Sequence, residues 1–343
     1  MIFKPKLMAS SLPGMPHRDI EEACQVMIHN FPEALPIPFI TMSRRIFTEG
    51  LPCLKIDREK RQLIFDTKGR ENELVQFYEH YMDKDFDYFA ISPELDPTLY
   101  KLAEIYKKNP WNGLKYIHMD FPGLFTWGLL IKDAKGNSAL YDVNLKDIII
   151  KGLSAKIRWR ENKARELFPG IETIVTSGDA SLSVFSSAGG TGSWDEVKKD
   201  YNEILSLING IKSIHCCANF DWSLVMETET QSINFDAYQF GETMGMYPEA
   251  LGKYLKRGGT IAWGIVPTGP DGDVTSESPE GLTEKLIKMI EKITDQGIDK
   301  KLLLEASWIT PTCEPATMNI QMAEKVYDYT GKVSKMMREN YLK

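Results

Sequence analysis

The sequence predicts an α/β chain folded as a single (β/α)8 TIM barrel, and three observations carry that expectation. Short β-prone runs alternate with longer helical ones across 343 residues, a length that one barrel domain accommodates. Most of those runs are apolar and bounded by Gly, Pro, Asn or Asp, as strands buried on both faces of a parallel sheet are. The residues that could carry chemistry fall at the C-terminal ends of the runs, the face where barrels build their sites.

In chain order the expected strands are Pro38–Met42, Asp87–Ile91, Lys115–Asp120, Glu172–Ser177, Ser213–Cys217, Ser232–Tyr238, Thr260–Val266 and Leu302–Trp308. Leu7–Ser11 competes with Pro38–Met42 for the first position. Apolar residues at three- and four-residue spacing predict helices over Leu145–Leu167, Trp194–Asn209, Pro248–Lys256 and Pro279–Gln296. Ser278 before Pro279 supplies a cap and a first-turn proline. A last helix runs from about Ala316 to Asn340. Residues 1–36 read as an N-terminal extension capping the barrel, with a helix over Pro16–His29, and residues 1–343 as one domain. Thr268–Val274 and the glycine-rich Ser186–Ser193 read as loops on the site face, the second suited to a lid.

Composition narrows the function. Forty-three per cent hydrophobic and 26% charged residues are ordinary for a globular chain, with 41 basic against 48 acidic residues. No basic stripe with interleaved aromatics stands out, which argues against a nucleic-acid partner. No apolar run reaches about 18 residues, and the N-terminus lacks the continuous apolar stretch of a signal peptide, so no membrane role is expected. The five cysteines are odd in number and unevenly spaced, which does not read as a disulfide framework and points to a reducing cytoplasm.

The most informative residues are His215, Cys217 and Cys313. Side chains on a strand alternate faces, so His215 and Cys217 point one way and Cys216 the other. An imidazole and a thiolate on one face supply two corners of a tetrahedral zinc site, and Cys313, past the last expected strand, supplies a third. The competing reading is a hydrogen-bonded core histidine with two buried apolar cysteines. Ligands spread over separate strands suit a catalytic metal better than a structural one. Two carboxylates after the next strand, Asp236 and Glu242, are candidates for a fourth ligand, and either could instead be a cap or a surface acid.

Ile214-His-Cys-Cys-Ala-Asn-Phe-Asp-Trp222 together with Ile309-Thr-Pro-Thr-Cys-Glu-Pro315 resembles the zinc-binding half of cobalamin-independent methionine synthase. That enzyme shares a superfamily with uroporphyrinogen decarboxylase and the corrinoid-protein methyltransferases. Ala9-Ser-Ser-Leu-Pro13 resembles the family's Gly-Ser-Phe-Pro, Met119-Asp-Phe-Pro-Gly-Leu its Thr-Gly-Pro, and Ser177-Gly-Asp-Ala-Ser-Leu182 its Asp-Glu-Pro-Ala-Leu. The resemblance implies a zinc-dependent methyltransferase acting on a thiol, homocysteine first, with His215, Cys217 and Cys313 as ligands. The family's glutamate ligand falls nearest Asp236, with Glu242 the other choice. The resemblance also implies that Asp179 binds the substrate amine and that Ser11 helps hold the amino acid.

Two departures stand out: Ala180 replaces the glutamate after that aspartate, and Glu314 follows Cys313 where the family has glycine. A chain with the length of one barrel is expected to take its methyl from methylcobalamin or a corrinoid protein rather than from a polyglutamylated folate. The alternatives are another thiol acceptor, such as coenzyme M, and a non-catalytic barrel that binds zinc or a corrinoid carrier. The decarboxylase branch uses no metal and has an arginine-rich N-terminal segment that is not found here.

Overall fold

The computed structural model describes residues 3–40, 45–57, 62–186, 193–269 and 273–342. Among the described residues ten strands are found: Ala34–Pro36 (β1), Leu54–Asp57 (β2), Gln62–Phe65 (β3), Tyr116–Pro122 (β4), Ile131–Asp133 (β5), Glu172–Gly178 (β6), Ile211–Cys216 (β7), Ser232–Asp236 (β8), Thr260–Val266 (β9) and Ser307–Pro311 (β10). Seven of them form one curled, wholly parallel sheet in the order β1-β4-β6-β7-β8-β9-β10, with helices between successive strands. The other three form a small separate sheet, β2-β3-β5, which sequence reading did not anticipate.

Burial explains the main sheet. Every residue of β8, β9 and β10 is buried, as parallel strands covered on both sides require. The outer face packs under the helices, with Ile214, Cys216, Phe235 and Trp263 in the main core. The inner face gathers a second cluster from widely separated elements, Phe3, Met8, Ala34, Ile174, Ala262 and Trp308. Only a strongly curled sheet brings β1, β6, β9 and β10 to one cluster. The indole N–H groups of Trp263 and Trp308 donate to Ser307 at 2.8 Å and Ser232 at 3.0 Å, so both rings belong to the core.

The N-terminal stretch pairs with the last strand of the sheet. Leu7 N–H donates to Ser307 O at 2.6 Å, Ser10 N–H to Ile309 O at 3.1 Å, and Ile309 N–H to Met8 O at 2.8 Å. Residues 7–10 thus run parallel to β10. The Ser10 hydroxyl donates to Ala34 O of β1, the opposite edge strand, at 2.9 Å. The expected helix over Pro16–His29 is found at Ile20–Asn30, capped by Asp19.

Three strand expectations are corrected. Asp87–Ile91 begins in a short 3₁₀ turn, Phe86–Phe89, and forms no strand; Phe89 packs edge-on against Phe77 at 5.6 Å. Its apolar residues serve the helix layer. In place of Pro38–Met42 the first sheet strand is Ala34–Pro36, while Phe39 makes one bridge to Gly14; residues 41 and 42 lie outside the described ones. Leu302–Trp308 splits into a helix, Lys300–Glu305, and the start of β10. Asp299 accepts from Leu302 N–H at 2.6 Å and so caps a leucine run that periodicity alone cannot distinguish from a strand. The proposed lid, Ser186–Ser193, falls mostly outside the described residues, as does the middle of Thr268–Val274. Among the described residues no helix is long and apolar enough to cross a membrane.

Candidate metal centre

His215 lies on β7 and Cys217 follows the strand's last residue. Alternation puts their side chains on the inner face and sends Cys216 into the helix-covered core, where burial pushes its thiol up to about 12. Cys313 comes from the chain just past β10. The register between β9 and β10 shifts at Thr310/Pro311, a bulge that redirects the strand end. Thr312 N–H then donates to Val266 O at 2.9 Å, and the hydroxyls of Thr268 and Thr312 meet at 2.9 Å. These bonds hold the turn that carries Cys313. The result is that one donor atom each from His215, Cys217 and Cys313 lie within 4.8 Å of one another.

The register of β7 and β8 places Asn234 beside His215. Asn234 Oδ1 accepts from His215 Nδ1 at 3.1 Å and from the Thr310 hydroxyl at 3.4 Å. His215 Nε2 is buried without a hydrogen-bond partner, and the residue is only 3% exposed. A buried ring nitrogen left open, fixed by an acceptor on the other nitrogen, is how a metal-binding histidine is held. The Cys217 and Cys313 sulfurs are hydrogen-bonded to each other. The Cys313 thiol and then His215 hold Cys217 down to about 4 against its burial, while Cys313 is pushed well above the usual thiol range. One imidazole nitrogen and two sulfurs fit zinc with a position to spare.

The cluster forms part of the wall of a cavity of about 260 Å³, together with Asp120, Glu314 and a largely apolar surface that includes Phe39, Phe47, Phe121 and Trp127. Burial, then the neighbouring Glu314, pushes Asp120 up to about 7. Burial also raises Glu314. Neither residue was singled out from sequence as a site group. For Glu314 the signal was present, as the residue following Cys313 where the family has glycine.

The other expected site residues are placed differently. Asp236 ends β8, 3% exposed, and its Oδ1 accepts from Gln239 N–H at 2.9 Å, capping the helix Ala237–Phe240. Burial, with the Cys217 charge adding to it, raises it to about 6, so it sits close enough to feel the cluster without being one of the three converging donors. Glu242 is not brought to the site. Its side chain is 76% exposed and ion-paired with Lys292 on the outer surface, because the turn Gly241–Met246 carries it away from the strand ends.

Asp179 is fully buried, and its oxygens accept from Phe125 N–H at 2.9 Å, Thr126 N–H and the Thr126 hydroxyl, both at 2.8 Å, and the Tyr201 hydroxyl. It therefore holds the first turn of the helix Leu124–Leu130, which forms one side of the cavity, and offers no free lone pair to a substrate amine. Ser11 is buried and donates to Leu12 O at 2.8 Å, while Leu12 reaches the cavity.

No protein-family model matches this chain. No curated protein matches it either. Solved structures do. A B12-independent methionine synthase from Shewanella sp. W3-18-1, in complex with selenomethionine, aligns with a TM-score of 0.60 at 10% identity, over 98% of this chain and 99% of that one. A Listeria monocytogenes protein provisionally assigned as a vitamin-B12-independent methionine synthase aligns with a TM-score of 0.57 at 11% identity, over 93% of this chain and 85% of that one. At such identities the likeness establishes a shared fold.

Proposed function

We propose that this chain is a cytoplasmic zinc-dependent methyltransferase that moves a methyl group to a small thiol, with residues 7–10 closing the sheet as the eighth stave of a barrel. The observation that carries the reading is the unpartnered Nε2 of buried His215 beside two cysteine sulfurs on a cavity wall. His215, Cys217 and Cys313 would hold the zinc, with Asp236, at the end of the neighbouring strand, the nearest carboxylate for a fourth place. Bound there, zinc supplies the charge that keeps an incoming thiol deprotonated at neutral pH, where a free thiol with a pKa of about 8.5 is mostly protonated.

The chain's own groups do the rest. Asn234 fixes the His215 tautomer, and the Cys313 thiol and His215 hold the Cys217 thiol below its usual range. The apolar wall keeps water from the nucleophile. Asp179 holds the helix that presents Thr126 and Trp127 to the cavity.

Homocysteine is the first acceptor to test, with methionine as product. The saturation of Asp179 favours a second reading, in which the acceptor is another thiol such as coenzyme M. For the donor we favour a methylcorrinoid, free or protein-bound, because cobalt(I) leaves without protonation whereas a folate nitrogen needs a positioned acid. A cavity of about 260 Å³ is far smaller than a corrinoid, so such a donor would be presented at its mouth. Elemental analysis followed by assays pairing each thiol with methylcobalamin and methyltetrahydrofolate tests the proposal. Absence of stoichiometric zinc would sink it. Zinc without transfer to any thiol would make the chain a binding protein on the same fold.

A further inference from the structure

Outside the cavity, a second group of donors gathers where the first helix meets the last. His17 precedes the helix Ile20–Asn30, Glu22 stands in the first turn of that helix, and Glu324 lies near the start of the helix Ile320–Tyr341. One ligand atom from each of the three lies within 4.8 Å of the other two, the same closeness as at His215, Cys217 and Cys313. His17 is wholly buried, and among the described residues its only side-chain partner is Glu324, whose Oε1 is 3.3 Å from Nε2. Nδ1 is buried with no partner at all. The imidazole is therefore aimed at the two carboxylates and at nothing else.

The distance is informative. A charge-assisted N–H···O bond is about 2.7–2.9 Å long, so 3.3 Å is a poor ion pair. It matches the edge of a tetrahedron around a zinc-type ion, which is about 3.3–3.4 Å for ligand bonds of about 2.0–2.1 Å. The acids are also left free for a ligand. Glu22 is the third residue of its helix, where a glutamate can reach back to the cap. Its backbone N–H is taken by Asp19 at 2.8 Å, but among the described residues no hydrogen bond or ion pair reaches its carboxylate. The adjacent Glu21, by contrast, is paired with Lys101 at 2.6 Å. Two carboxylates this close repel unless a cation lies between them. An imidazole among the donors selects a transition ion over calcium or magnesium, which take oxygen ligands.

We propose that His17, Glu22 and Glu324 bind a divalent transition-metal ion, zinc first, with water completing the shell. This site is separate from the sulfur cluster and does not depend on the reading given above for it. Its effect is to staple the two ends of the chain together. The far half of the last helix is already tied to the N-terminal stretch, with Ser334 donating to Leu7 O at 2.6 Å and Arg338 to Lys6 O at 2.9 Å. The near half has only the long His17–Glu324 contact. A metal there would fix the start of the helix that follows Cys313.

Titration of the full-length protein with Zn2+, and with Co2+ as a spectroscopic probe, tests the site. Cobalt held by thiolates shows sulfur-to-metal charge transfer in the near ultraviolet, whereas cobalt on imidazole and carboxylate does not. The wild type should take up one equivalent without that absorption, and Cys217→Ala, altered only in the sulfur cluster, should keep it. Glu22→Gln and Glu324→Gln should each weaken this equivalent by about tenfold or more, the least expected when even an outer partner of a metal ligand is lost. Glu21→Gln should leave it unchanged. If Cys217→Ala binds neither ion, or if either of the first two substitutions leaves the affinity unaltered, the site is wrong. Equal weakening by Glu21→Gln would also overturn it, as mere attraction to surface acids. His17→Ala should abolish binding; should it fail to fold by circular dichroism, the two exposed glutamates decide. A wild type that shows this equivalent but no charge-transfer band would support the site while sinking the sulfur cluster.

Discussion

Asn234 Oδ1 sits 3.1 Å from His215 Nδ1 and thereby leaves Nε2, which has no partner, as the ring nitrogen open to a ligand. Removing that acceptor frees the imidazole to rotate and to change tautomer. Asn234→Ala should weaken zinc binding by about 10- to 100-fold, as loss of an outer hydrogen-bond partner does. Competition with a chromophoric chelator reads the change directly. Unaltered affinity would mean that Asn234 is a spectator.

The alternation of β7 makes its own control. Cys217→Ala and Cys313→Ala should each abolish stoichiometric zinc with the fold kept, whereas Cys216→Ala, on the opposite and fully buried face, should retain it. Elemental analysis of the three variants decides. Retention of zinc by both of the first two would remove the site.

X-ray absorption at the zinc edge should find two sulfurs, one imidazole nitrogen and a light atom. Asp236→Ala should alter the light-atom shell. Glu242→Ala should leave the spectrum unchanged, since that carboxylate is tied to Lys292 on the surface. The reverse pattern would show that the loop reorganises around metal.

Asp179→Ala should act on stability first. It strands four buried donors, from Phe125, Thr126 and Tyr201, and the cost should exceed about 3 kcal/mol. Urea unfolding measures it. A variant of unchanged stability with lost affinity for an amino-acid thiol would restore the substrate role implied by the family resemblance.

Asp120 gives a pH signature. Its folded pKa, raised to about 7, lies above the ordinary value of 3.8. The folded protein therefore holds the proton more tightly, and stability falls as pH rises between those values. Asp120→Asn should flatten that slope and stabilise the protein above about pH 7 by roughly 1–4 kcal/mol. Stability measured across the range for both proteins checks the sign. An unchanged slope would mean that the carboxyl is ionised throughout.

Much of this was legible in the chain because period-two alternation and strand-end position are local properties. His215, Cys216 and Cys217 are sorted by alternation alone, and Thr260–Val266 is apolar enough to declare itself. The failures were non-local. Leu302–Leu304 could be helix or strand until the Asp299 cap is seen, and Asp87–Ile91 has no strand beside it to pair with. The partners of Asp179, which the family resemblance makes a substrate-binding residue, were not legible, because Thr126 and Tyr201 come from other elements. Asp120 and Glu314 meet only because β4 and the end of β10 curl to one cavity.

The bonds between residues 7–10 and β10 also govern the order of assembly. Residues 7–10 find their partners, Ser307 and Ile309, only after all the intervening residues have been synthesised. His215 and Cys217 likewise wait for Cys313. Both the edge of the sheet and the cluster of ligands are therefore late, long-range events, the kind that slow folding and leave strand edges exposed in the meantime. A chain stalled before Ser307 would have neither, so acquisition of metal and completion of the fold should coincide in time.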